Sequence, residues 1–163
     1  MDILAENEGK IYARAAVDGQ TPFAPPFSGV PFPCLIWDYD GCATDAARSA
    51  IAKALLDAGC RYAVCAGKNC EAWHDAVDAE LVLAHLHESD EVTDPAMVLT
   101  TWHEGEGPDE VAFFFVLNTN YGDHDFRRYL VLHVGTGTTQ KQVDTAVRKY
   151  ALGDSAVSES MSL

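Results

Sequence analysis

From residue 34 onward, short apolar runs alternate with longer amphipathic stretches, a pattern that predicts strands alternating with helices. Cys34-Leu35-Ile36-Trp37 ends at Asp38 and reads as a buried strand. Thr44 or Asp45 can cap a helix that runs to Ala58 with Ile51, Leu55 and Leu56 inward, and Gly59 stands at the C′ position. The alanines of that helix permit close approach to a sheet. A second strand follows over 61–66, and Gly67 turns the chain. Asn69 is placed to N-cap a helix from Cys70 to about His85, and 96–100 reads as a third strand. The turn Gly105-Glu106-Gly107 leads into Pro108-Asp109-Glu110, residues suited to a first helical turn. Periodicity leaves residues 111–117 open between strand and helix, and the Pro-Asp-Glu start favours helix. Residues 128–134 form the clearest strand, and Thr139 with Gln142 makes a capping-box pair for a last helix to Leu152.

Alternation of this kind predicts a three-layer α/β/α, Rossmann-like domain. Its sheet of about four strands is mostly parallel, with right-handed crossovers covering both faces. Residues 1–32 read as an extended, PPII-like arm, because Pro22, Pro25, Pro26, Pro31 and Pro33 interrupt Phe23, Phe27 and Phe32. The phenylalanines imply that the arm packs, either on its own domain or on a second subunit. The expected organisation is an arm (1–32), one domain (33–152) and a disordered Ser-rich tail (153–163), with no internal repeat.

Composition adds limits. The 163 residues suit a single domain, and 48% apolar content supplies a core. No apolar run approaches the ~18–20 residues of a membrane helix. The acidic first residues lack the marks of a signal peptide, so a cytoplasmic location is expected. Five cysteines, an odd number, point to reduced thiols.

The net charge of −14 is concentrated. Asn69 to Phe126 holds fourteen acidic residues and no Lys or Arg, while elsewhere eleven acids balance eleven bases. Such a field disfavours nucleic acid. It suits a basic protein surface or a divalent metal, and it also suits plain solvation.

In a parallel sheet, ligand sites lie beyond the carboxyl ends of the strands. Four sets of residues fall there: Asp38, Asp40, Gly41, Thr44 and Asp45; Cys65, Cys70, Trp73, His74, Asp75 and Asp78; Thr100, Thr101, Trp102, His103 and Glu104; and Gly135-Thr136-Gly137-Thr138-Thr139. Cys70 and His74 share a helix face, and Cys65 with His103 would complete four zinc ligands, though without a tight C-x-x-C or H-E-x-x-H spacing. Alternatively Cys70, in a first helical turn that lowers a thiol's pKa, is a nucleophile. His103 or His74 is then the base, oriented by Glu104 or Asp78. Buried, inert cysteines are the competing account. Gly135, Gly137 and Thr138 form a turn whose amides are placed to cradle an anion or cofactor phosphate, but without a Walker lysine. Trp73-His74 and Trp102-His103, facing each other across a strand end, would be either the walls of a pocket or a satisfied structural network. His133 alternates within its strand and reads as a core histidine.

Asp38-Tyr39-Asp40-Gly41-Cys42 resembles the first motif, D-x-D-G-T, of haloacid-dehalogenase-like phosphatases. The resemblance implies Asp38 as nucleophile, Asp40 as acid/base, Thr100 or Thr101 as the second-motif hydroxyl, Asp123 and Asp125 as distal acids, and magnesium. Cys42 replaces the motif's Thr, and no Lys lies between Thr101 and Asp123 to hold a phosphate. A second resemblance runs over about 34–117. Gly59-Cys60-Arg61-Tyr62, Cys70-Glu71-Ala72-Trp73-His74-Asp75 and Thr100-Thr101-Trp102-His103-Glu104 resemble a family of small bacterial proteins of unknown function. That resemblance implies one bacterial domain and no particular reaction.

Three functional classes remain open. In the first, a non-enzymatic interaction or accessory protein engages a basic partner through its acidic stretch, and a defence or immunity role fits that description. In the second, a hydrolase or transferase uses carboxylates and histidines at the strand ends with a divalent metal. In the third, a sensor binds a small molecule behind the two tryptophans. The arm offers a route to oligomers.

Overall fold

The structure, a computed structural model, describes residues 1–86, 97–120, 122 and 124–153. Ten elements follow in order: β1 (Asp2–Asn7), β2 (Lys10–Val17), β3 (Phe32–Asp38), α1 (Asp45–Ala58), β4 (Cys60–Gly67), α2 (Cys70–Ala84), β5 (Leu99–His103), α3 (Pro108–Leu117), β6 (Arg128–Val134) and α4 (Gln140–Leu152). The six strands form one sheet in the order β1-β2-β6-β3-β4-β5. All neighbours run parallel except β1, which pairs antiparallel with β2. The mixed α/β architecture with a mostly parallel sheet is as expected, but the sheet has six strands rather than about four.

Both additional strands come from the segment read as an arm. Residues 2–17 form a β-hairpin whose second strand, β2, pairs with β6 along its length, and only 18–31 is irregular. The hairpin turn was hard to read because its first central residue is Glu8, not Asn or Asp. Glu8 and Gly9 both take positive φ, 52° and 79°, as the twist of a two-residue hairpin requires. The irregular segment packs on its own domain. Phe27 is buried edge-on to Phe32, with ring centroids 5.5 Å apart, and Phe23 lies against the same cluster.

Sheet faces follow from period-two alternation. Leu35, Trp37, Val64, Tyr129 and Val131 face α3 and α4, in one core with Val111, Phe115, Val143 and Val147. Cys34, Ile36, Ala63, Cys65, Leu130 and Leu132 face α1 and α2, in a second core with Ile51, Leu55, Trp73 and Val77. Residues 111–117 are helical, as the Pro-Asp-Glu start suggests. Thr44 caps α1 by accepting from the Ala47 amide at 3.1 Å. Two other expected caps do not form: Asn69 is left-handed and makes no side-chain cap, and neither does Thr139.

The third expected strand is displaced. It spans Leu99–His103, so Thr100, Thr101, Trp102 and His103 belong to β5 instead of the loop beyond it; Ala96 lies outside the described residues. Threonine and tryptophan are good strand formers, and polar side chains fit here because β5 stands at the edge of the sheet. The tail from Asp154 also lies outside the described residues. Among those described, no helix is long and apolar enough to cross a membrane.

Truncating Phe27 to alanine is expected to destabilise the domain by about 3–5 kcal/mol. The unfolding midpoint should not depend on protein concentration, because the contact lies within one chain. Chemical denaturation at two concentrations checks both points.

Candidate functional site: the strand ends and the β5 edge

The chain reverses direction across the sheet between β3 and β6. After β3 it crosses to α1 on one face, and after β6 it goes to α4 on the other. Open α/β sheets bind ligands at such a switch point, and here the two aspartates that stand at it have partners within the chain. Asp38, at the end of β3, is completely buried. Its Oδ1 accepts from the Gly41 amide at 2.8 Å, and its Oδ2 accepts from Trp73 Nε1 at 2.9 Å. Both oxygens are therefore committed, one to the turn and one to α2.

Asp40 occupies the glycine loop. Its carboxylate accepts from the Cys42 amide at 3.0 Å and the Thr136 amide at 3.1 Å, and these bonds hold its pKa below the usual value. At Gly135 (φ 75°) a Cβ would collide with this carboxylate, and at Gly137 a Cβ would come within 2.7 Å of Tyr39 Cβ. In the loop that holds Gly135, Gly137 and Thr138, the Thr136 amide is directed at the side chain of Asp40. Both aspartates thus have partners within the chain, Asp38 in the interior and Asp40 at the surface. Thr100 and Thr101 are engaged elsewhere, Asp125 pairs with Arg127 at 2.7 Å, and Asp123 lies outside the described residues.

A network not anticipated as a site lies beside this crevice. His133 is completely buried. Its Nδ1 stands 2.6 Å from Tyr39 Oη and its Nε2 stands 2.8 Å from Asp144 Oδ1. Arg14 Nε approaches the other Asp144 oxygen at 3.1 Å as a charge contact without an aligned hydrogen bond. Burial raises the Tyr39 pKa, and the Asp144 charge adds to the rise. The position of His133 within its strand correctly marked it as interior. Its partners sit 94 residues before it and 11 residues after it, and no local spacing shows them.

The paired Trp-His segments meet at one point. His74 and Trp102 lie edge to face with centroids 4.6 Å apart. His74 Nδ1 stands 3.0 Å from Asp75 and Nε2 stands 3.4 Å from Asp78, whose carboxylate also accepts from Thr100 Oγ1 at 2.8 Å. His103 points to the other face of the sheet, because strand neighbours alternate. There its Nε2 is 3.0 Å from Thr101 Oγ1, its Nδ1 contacts Glu106, and its ring lies 4.7 Å from that of Phe114. Trp73 is buried while Trp102 is 46% exposed, so the two indoles do not wall a common pocket. Glu106, which orients His103, was read only as part of a turn.

The cysteine expectations change as well. Cys70 does occupy the first turn of α2, but burial raises its thiol pKa, and this outweighs the backbone of Glu71 and His103, which lowers it. Cys65 is pushed up further, again by burial. The proposed ligands Cys65, Cys70, His74 and His103 are divided between the core, the α2 surface and the opposite face. Among the described residues, no three of His, Cys, Asp and Glu are placed to hold a metal ion. Glu104 is exposed and lines a recess of about 620 Å³ with Lys68, Asn69, Glu71 and Asp75 at the start of α2.

Comparison with known families adds one finding. Residues 11–150 match the family described as a domain of unknown function, DUF7684. The chain belongs to that family. The match takes in β2 and the whole parallel sheet of this DUF7684 domain, and the family's description assigns no activity. Comparison with curated proteins and with solved structures returns no match to either.

Two expectations follow for this domain. Asp38→Asn leaves one buried donor without an acceptor oxygen, and is expected to destabilise the fold by about 1–3 kcal/mol in thermal or chemical unfolding. In the native state only Cys42 is exposed among the five cysteines, and Asp40 raises its pKa. A thiol reagent should therefore modify one cysteine, slowly at neutral pH and faster as pH rises, and peptide mapping should place the label on Cys42. Rapid labelling of Cys70 would restore it as a nucleophile.

Proposed function

We propose that this domain is a docking module that takes a basic, extended segment of a partner protein along the β5 edge. The observation that carries the proposal is where the charge falls on the fold. The base-free stretch 69–126 supplies α2, β5 and α3, which are the last strand of the sheet and the two helices following β4 and β5. Glu71, Asp75, Glu104, Glu106, Asp109 and Glu110 are all exposed there. Seven of the eleven bases lie on or beside β2, β6 and α4, toward the other side of the sheet: Lys10, Arg14, Arg127, Arg128, Lys141, Arg148 and Lys149.

Geometry adds a second support. Among the described strands β5 pairs only with β4, so one row of its backbone N–H and C=O groups faces outward. Open edges accept an added strand, which gains affinity from main-chain hydrogen bonds and specificity from alternate side chains. Trp102, half exposed and held against His74, offers an aromatic contact to one side of such a strand. Carboxylates above and below would select a cationic sequence and speed the encounter.

A hydrolase reading has one observation behind it. The chain from Thr101 through His103 to Glu106 joins hydroxyl, imidazole and carboxylate in the order used by nucleophilic enzymes. Asp109 and Glu110 stand nearby, and such carboxylates oppose the negative charge that develops in acyl transfer. The docking reading needs no such compensation.

The test is binding of a fluorescent Lys/Arg-rich peptide of β-forming sequence to the full chain. Affinity is expected to fall about tenfold between low and ~0.3 M salt, and to fall several-fold in Glu104→Lys and in Trp102→Ala. Binding that ignores salt and both substitutions contradicts the proposal. Turnover of an activated ester, lost in His103→Ala, would transfer support to the hydrolase reading.

A further inference from the structure

The outer side of α3 carries a combination that a solvated acidic face does not need. A recess of about 460 Å³ is lined there by Glu106, Asp109, Glu110, Phe113, Phe114 and Tyr150, with His103 at its β5 end. Phe113 is 46% exposed and stands edge-on to Tyr150, with centroids 5.4 Å apart and an interplanar angle of 82°. Phe114 leans on His103 and meets Tyr62 edge to face at 6.2 Å. Aromatic rings and carboxylates therefore share one concave surface.

This surface already holds a cation of the chain's own. Lys149 Nζ lies 3.1 Å from Asp109 Oδ1 and 4.9 Å from the centre of the Tyr150 ring, and Tyr150 Oη donates to the second Asp109 oxygen at 2.7 Å. These bonds hold the Asp109 pKa below the ordinary carboxylate value. One ring and one carboxylate are thus used internally. Glu106 is bonded to His103, so the Phe113 and Phe114 rings and the carboxylate of Glu110 remain around the rest of the recess, whose lining includes no Lys or Arg among the described residues. Ring faces attract cations electrostatically, and the attraction strengthens where water is partly excluded. A planar guanidinium can stack on a ring and meet a carboxylate with two N–H groups at once, which an ammonium cannot do.

We propose that this recess takes the guanidinium of an arginine on the docked segment, so that α3 reads one side chain while β5 holds the backbone. The inference rests on the docking reading. It adds the identity of the recognised group and the residues that recognise it. His103 links the two surfaces, since it ends β5 and forms one end of the recess.

The experiment compares, on the full chain, a labelled arginine-containing β-forming peptide with the same peptide carrying citrulline, which keeps the shape and loses the charge. Citrulline is expected to weaken binding about tenfold. Phe113→Ala and Glu110→Gln should each weaken the arginine peptide about three- to tenfold and leave the citrulline peptide nearly unchanged. Both residues are exposed, and thermal unfolding confirms that the variants fold. Equal affinity for the two peptides, or indifference to both substitutions, overturns the recess proposal; if salt still weakens binding, the docking reading survives. Failure of every peptide to bind overturns both. Free arginine amide binding as tightly as the peptide would also overturn it, by showing that no segment is required to present the group.

Discussion

A buried carboxylate at the end of the central strand organises the rest of the molecule. Asp38 has no contact with solvent, and a polar side chain in that position is tolerable only if its oxygens are met by donors. One donor is the amide of Gly41, which forces the chain to turn back immediately after β3. The other is the indole of Trp73, which draws the first turns of α2 over the strand end. The backbone carbonyl of Asp38 then accepts from Lys68 at 2.8 Å, tying in the neighbouring β4 loop as well. With the turn so placed, Asp40 falls into the loop after β6, and Tyr39 reaches His133. The loops after β3, β4 and β6 are thus tied together around one acid.

Internal pairing of this kind extends to other residues with chemical potential beyond the strand ends. Aspartates, cysteines and a glycine loop beyond strand ends usually suggest a site, but here each is matched to another part of the chain. What remains unmatched lies to one side. Among the described residues the carboxylates of α2 and α3, beside the β5 edge and the exposed Trp102, meet few bases, Lys149 at Asp109 being one, because the sequence places no base between Asn69 and Phe126. Central strand ends hold the sheet together, and the acidic edge is the surface proposed for recognition.

Much of the fold could be read from the sequence, since buried strands and capped helices carry strong local signals. The β3, β4 and β6 segments, the helices and the parallel order follow from periodicity and from Thr44, Gly59 and the Pro-Asp-Glu start of α3. The hairpin of β1 and β2 did not, because its turn uses Glu8 where Asn or Asp would announce it, and the prolines after it suggested one continuous arm. The position of β5 is less legible, because Thr, Trp and His suit a loop as well as an edge strand. For the site, the meeting of His74 and Trp102 was legible from the parallel sheet. The separation of His103 from Trp102 also follows from alternation, once both are placed inside a strand. The occupation of the glycine loop by Asp40 was not legible, because those partners lie 96 residues apart and only the folded topology joins them. The bond of Asp38 to Trp73 was not legible for a similar reason: the two lie 35 residues apart.

The central claim is that the strand-end crevice is structural and that the acidic edge is the recognition surface. Backbone amide NMR of the full chain, recorded while a basic β-forming peptide is added, tests it most directly. The account predicts that shift changes gather on residues 99–104 and on the exposed faces of α2 and α3, while Gly41, Cys42 and Thr136 stay in place. Shifts centred on those three amides, with β5 unaffected, would mean that Asp40 gives way to an external ligand and that the crevice is the site after all.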